Sequence, residues 1–204
     1  MYCILVNREN PYLPHEEEAR VYRPVGGSSV FMEETAARAL WALLRRVDKE
    51  GQIVPVSGYR SREEQKEIWE GCLAERGEEY TRKYVAPEGC SEHETGLAID
   101  LGWTGDSRLF LDRIAPHFPY EGICQDFRRL APEYGFIQRY PKGKEKITGI
   151  GHEPWHFRYV GQPHAKIITD LGLVLEEYVR LRKESGALTP EKSNGYCSNL
   201  GGGR

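Results

Sequence analysis

A chain of 204 residues, 39% hydrophobic and 29% charged, has material for one substantial core, so a single globular domain is the starting expectation. Its 28 basic and 31 acidic side chains leave a net charge of −3, which gives nucleic acid and anionic membrane no electrostatic footprint. A small or peptidic partner fits that balance better.

The opening MYCILVNREN has too short an apolar run for a signal peptide and no basic flank before it, and no later stretch has the length of a membrane span. Cys3, Cys72, Cys90, Cys124 and Cys197 are widely spaced and contain no CxxC pair, the pattern of reduced thiols in a cytoplasm and not of a disulfide framework. A cytoplasmic location is therefore expected.

Residues 1–30 read as an irregular arm, punctuated by Pro11, Pro14, Pro24, Gly26 and Gly27, with a short strand around Val21 and Tyr22. From 32 to 49, Ala36, Leu40, Leu43, Leu44 and Val47 recur at helical spacing until Gly51 stops the helix. IVPVSGYR, 53–60, is a β-branched run. Ser61 and Glu64 then form a capping box that opens a second helix, expected to reach about Arg76. Residues 77–89 are polar, close with Pro87 and Gly89, and predict a loop or short helix roofing something. GLAIDLG, 96–102, predicts a buried strand, 122–134 a helix, 135–140 and 154–160 two more strands, and 163–184 a last helix. The stretch 188–204 is poor in apolar residues and predicts a disordered tail, which leaves 1–187 as the domain. Strands and helices mix without regular βαβ alternation, so the expected class is α+β with a small, mainly antiparallel sheet flanked by helices.

The chemistry concentrates in two places. In CSEHETGLAID, 90–100, strand alternation turns Leu97, Ile99 and Leu101 to the core and Ala98 and Asp100 to the other face. Gly96 and Ala98 then leave space for an ion or ligand near the backbone, with His93 able to fold over it. A catalytic zinc site needs three protein ligands, and HEPWHFRY, 152–159, offers the third. Trp155, Phe157 and Tyr159 alternate with His156 and Arg158, which sends the aromatics inward and His156 to the opposite face. The same letters spell HExxH, the helical zincin signature, but Pro154, the glycines at 149 and 151 and the strand period all oppose a helix here. Glu153 stays within reach of a metal-activated water.

The patterns S-x-H-x-x-G-x-A-x-D (Ser91, His93, Gly96, Ala98, Asp100) and E-P-W-H-F-R-Y (153–159), with S-G-Y-R-S (57–61), resemble the zinc D-Ala-D-Ala peptidase family. The likeness runs from about residue 30 to 184 and is strongest to the vancomycin-resistance type that joins dipeptidase and carboxypeptidase activity. It implies a hedgehog-like fold and a D-Ala-D-Ala dipeptide or D-Ala-terminated peptidoglycan precursor as partner. It also implies zinc held by His93, Asp100 and His156, Glu153 as general base and Arg60 as oxyanion donor. Ser91 and Gln65 match substrate contacts, Gln65 sharing a helical stripe with Trp69 and Cys72. The rival expectations are another peptidoglycan cut, such as that of an L-Ala-D-Glu endopeptidase, or a zinc-stabilised binding domain without catalysis. The simplest role for the four tryptophans, at 41, 69, 103 and 155, is core or cleft wall, and His15, His117, His152 and His164 read as surface or loop.

Overall fold

The computed structural model describes residues 2–13, 20–105 and 112–186. The expectations for 188–204, His15 and Cys197 concern residues outside those described.

Two short strands, β1 (Tyr22–Pro24) and β2 (Phe31–Glu33), pair antiparallel. The helix expected from 32 begins later, as α1 (Glu34–Val47), because Met32 and Glu33 belong to β2. Glu33 caps it, its carboxylate accepting from the backbone N–H groups of Thr35 and Ala36 at 2.9 and 3.0 Å. Strand β3 (Ile53–Ser57) ends before the SGYR stretch is complete, which leaves residues 58–61 as a loop. The Ser61/Glu64 capping box opens α2, which does not stop at Arg76: it kinks at Gly77 (φ +80°) and continues to Tyr84, so most of the expected roof is helical.

A short 3₁₀ helix (Glu92–Thr95) leads into β4 (Ala98–Trp103). Helix α3 (Gly122–Leu130) tightens into 3₁₀ geometry over Ala131–Tyr134 and is followed by β5 (Phe136–Tyr140). A four-residue α4 (Glu145–Thr148), too short to show in the periodicity, precedes β6 (Glu153–Tyr159). The helix expected over 163–184 is two, α5 (His164–Asp170) and α6 (Leu175–Glu184), broken where Gly172 takes φ +63°.

The main sheet runs β3-β4-β6-β5, antiparallel throughout, and the fold is the mixed α+β class expected. Leu97, Ile99, Leu101, Trp155, Phe157 and Tyr159 face one core with α1 and α3, as the alternation predicted. Burying a side chain such as Phe157 contributes roughly 1.5–3 kcal/mol. A smaller apolar cluster, with Cys3, Ile137, Ile168, Leu175 and Tyr178, docks the N-terminal arm and the last two helices. Trp41 departs from expectation: it is 45% exposed and lies over Gly26 at the surface.

The other face of β4, β5 and β6 is also buried, but it is polar. Arg139 and Arg158 are fully buried there and both reach Glu92 at 2.8 Å. Arg139 also grips Glu176 of α6 (2.6 and 2.9 Å), and Arg158 donates to the carbonyls of Tyr2 and Ile4. This network fastens the N-terminal arm and α6 to the back of the sheet beside the candidate site.

Candidate active site

Register brings the predicted residues together. Asp100 on the central strand β4 is paired with His156 of β6 on one side and Ser57 of β3 on the other. The 3₁₀ turn, capped by Ser91 through its hydroxyl and the His93 N–H (3.3 Å), places His93 over the end of β4. His93, Asp100 and His156 are all buried and each offers a ligand atom, the three lying within 4.8 Å of one another.

The rings are aimed by their outer nitrogens. His93 donates from Nδ1 to the Gly58 carbonyl at 2.7 Å, so Nε2 faces inward, 3.2 Å from Asp100 Oδ2. His156 turns Nδ1 to Asp100 Oδ1 at 2.9 Å and Nε2 to Glu92 Oε2 at 3.6 Å. Both His156 Nε2 and Glu92 Oε2 are buried without a hydrogen-bond partner, facing each other at 3.6 Å. An inward lone pair with an outward N–H on an acceptor is the arrangement that fits imidazole to a metal. Two imidazoles and one carboxylate also match the donor chemistry of zinc.

Glu153, at the first position of β6, is 4% exposed and sits 3.7 Å from His156 Nδ1. Burial dominates its environment and, with Asp100 and Glu92 nearby, pushes its carboxyl up to about 8. Burial alone would lower His156, but the hydrogen bonds to Asp100 and Glu92 outweigh it and raise the imidazole to about 9. Asp100 goes the other way: burial opposes its charge, yet the two histidines hold it well below the carboxylate range.

Arg60 leaves the loop after β3 with every arm of its guanidinium engaged. Nε donates to Ser57 Oγ (2.8 Å), one terminal nitrogen to Gln65 Oε1 (3.1 Å), and the other to Asp100 Oδ2 (3.0 Å). Gln65, buried in the first turn of α2, spans Arg60 and the Ala86 carbonyl, to which it donates at 2.7 Å. Both Gln65 and Ser91 line the cleft of about 700 Å³ that opens onto the cluster, along with Tyr22, Phe31, Tyr84 and Trp155. His152 lies apart from the cluster, hydrogen-bonded to Tyr120 OH at 2.7 Å, and β6 is a strand; the helical zincin arrangement is absent.

Gly96 does not clear space for a ligand, as its place in the motif suggested. It takes φ +69° to end the 3₁₀ turn, and a Cβ there would lie 2.5 Å from the Tyr22 ring, so its bareness serves packing of the arm. Two site residues escaped the sequence reading. Glu92 lies inside the first motif, but nothing local points to its partners Arg139 and Arg158. Tyr140 closes β5 with its ring centroid 4.8 Å from that of His156.

Residues 29–162 match VanY, the D-alanyl-D-alanine carboxypeptidase family. The chain belongs to this family. It is 42% identical over 175 residues to the bifunctional D-Ala-D-Ala dipeptidase and D-Ala-D-Ala carboxypeptidase VanXYC of Enterococcus gallinarum, across 85% of this chain and 91% of the relative. The crystal structure of the vancomycin-resistance D,D-dipeptidase VanXYg with a D-Ala-D-Ala phosphinate analogue aligns at a TM-score of 0.83 and 48% identity, covering 90% of this chain and 72% of that one. A mutant D,D-pentapeptidase VanY from a VanB-type resistance cassette, in complex with Zn(II), aligns at 0.69 and 31% identity, covering 87% and 98%. The VanY match ends before α5 and contains the whole four-stranded sheet, so every side chain of the cluster lies inside the family domain. Among the described residues no helix is long and apolar enough to cross a membrane.

Proposed function

We propose that this VanY-family chain is a zinc-dependent D,D-peptidase that cleaves D-Ala-D-Ala, both as the free dipeptide and at the end of peptidoglycan precursors, in glycopeptide resistance. The observation that carries it is the convergence of His93, Asp100 and His156 beside a buried carboxyl, Glu153, on the floor of an open cleft. A cytoplasmic location belongs to the same proposal, supported by four free thiols at Cys3, Cys72, Cys90 and Cys124.

His93, Asp100 and His156 would hold the zinc, which would supply Lewis acidity toward the scissile carbonyl and toward an attacking water. His93 presents Nε2, its ring held through Nδ1 by the Gly58 carbonyl, and His156 presents Nδ1, with the Glu92 carboxylate facing its Nε2 at 3.6 Å. Glu153 takes the proton of the attacking water and delivers it to the departing amine nitrogen. Arg60, already desolvated and braced by Ser57 and Gln65, donates to the carbonyl oxygen as negative charge develops there. Ser91 and Gln65, on the cleft wall, contact the substrate's ends.

The test is release of D-Ala by purified protein from free D-Ala-D-Ala and from a D-Ala-D-Ala-terminated pentapeptide. Release from both is expected, abolished by a chelator and restored by Zn(II). A zinc-loaded protein that releases nothing from either substrate refutes the proposal.

A further inference from the structure

A second cavity, of about 480 Å³, adjoins the active-site cleft and shares Ala86, Tyr140 and Ile150 with it as a common wall. The wall is thin on the catalytic side, since the Tyr140 ring packs directly against His156. Arg8, Lys146, Arg180 and Lys183 line the second cavity. It also contains Glu9 and Glu176, but Glu176 is already held by the buried Arg139 at 2.6 and 2.9 Å.

The four cations are largely uncompensated. Among the described residues, none of them forms an ion pair; Arg8 donates to the Arg82 carbonyl, and Arg180 feels Glu177, which Lys144 holds at 2.9 Å. In a chain whose net charge is −3, this concentration of positive charge in a concave site runs against the overall balance. Concave sites lined by one sign of charge focus their field on ligands of the other.

A carboxypeptidase substrate continues on the amino side of the bond that is cut, and that continuation has to leave the cleft over some wall. We propose that it leaves over Ala86, Tyr140 and Ile150, and that the cationic cavity beyond binds an anionic group, carboxylate or phosphate, carried by the distal part of a D-Ala-D-Ala-terminated substrate. The inference rests on the D,D-peptidase reading and deepens it: free dipeptide carries nothing upstream of its first residue, so the cavity distinguishes long anionic substrates from the dipeptide.

The experiment uses the full-length zinc-loaded protein and a triple variant, Lys146→Ala/Arg180→Ala/Lys183→Ala, whose three positions are exposed and outside the catalytic cluster. Dye-labelled peptides ending in a non-hydrolysable phosphinate analogue of D-Ala-D-Ala carry, upstream, two aspartates, two asparagines or a single phosphate, and their binding is followed by anisotropy at low and high salt. The parent is expected to bind the aspartyl or phosphoryl peptide about tenfold more tightly than the asparaginyl one at low salt, a preference that the triple variant and high salt both erase. The aspartyl and phosphoryl arms separate a carboxylate site from a phosphate site. Equal binding of all three peptides by the parent, or an undiminished preference in the variant, overturns the inference. Hydrolysis of free D-Ala-D-Ala, measured alongside, is expected to be the same in both proteins. If the parent hydrolyses no dipeptide yet keeps the charge preference, the enzymatic reading fails while the anion site stands; a variant that loses dipeptide hydrolysis along with charged-peptide binding overturns the separate cavity.

Discussion

Glu153→Gln should make the metal-free protein more stable at alkaline pH while nearly abolishing catalysis. Burial raises the Glu153 carboxyl to about 8, against an ordinary glutamate value of about 4.3 in the unfolded chain. Between these values the folded state keeps a proton that the unfolded state has released. Stability therefore falls as pH rises through that window, by about 1.4 kcal/mol per pH unit, and levels off above about pH 8. The accumulated penalty is roughly 4–5 kcal/mol. Glutamine fills the same space without titrating, so the penalty disappears. His156, raised to about 9, remains in both proteins and contributes mainly the same fall at higher pH to each. Urea unfolding in excess chelator should give similar midpoints for parent and variant near pH 5 and a clearly higher midpoint for the variant near pH 8. With zinc restored, kcat of the variant should fall by about 10²–10⁴-fold while metal content is kept. Stability curves that track one another from pH 5 to 8 refute the burial account of Glu153, and a zinc-loaded variant with parental kcat refutes its role as base.

Two other substitutions separate the remaining roles. Arg60→Lys keeps a cation but loses the fork that joins Ser57, Gln65 and Asp100, so kcat should drop by about 10²-fold or more with zinc content unchanged by elemental analysis; undiminished turnover would confine Arg60 to bracing Asp100. Glu92→Gln removes the carboxylate facing His156 Nε2 and the shared counter-charge of Arg139 and Arg158. Zinc affinity in a chelator competition should weaken by about 10–100-fold, and unfolding should become easier by about 3–5 kcal/mol; parental zinc affinity would show that Glu92 supports the fold alone.

Much of the site was legible in one dimension because strand alternation has an exact period of two. Once GLAID and PWHFRY are strands, the faces of Asp100 and His156 follow from their apolar neighbours, and Pro154 with the flanking glycines removes the helical alternative. The Ser61/Glu64 box was legible for a similar reason: a capping interaction is local, complete within four residues. Boundaries were less secure where a competing partner lay far off in sequence. Met32 and Glu33 satisfy the helical pattern, yet they pair with Arg23 and Tyr22, and the last helix is divided at Gly172 although its apolar spacing continues.

The sequence by itself determined the residue types of the cluster, the faces they occupy and the class of the fold, since these depend on periodicity and on motifs whose members are close together. Only the tertiary structure decided which nitrogen of each histidine turns inward, that Glu92 answers both buried arginines, that Gly96 yields to Tyr22 and not to a ligand, and that a cationic cavity stands behind Tyr140. Each of these joins residues tens of positions apart, and such pairings are set by strand register and by how the N-terminal arm and α6 pack on the sheet, which no local pattern encodes.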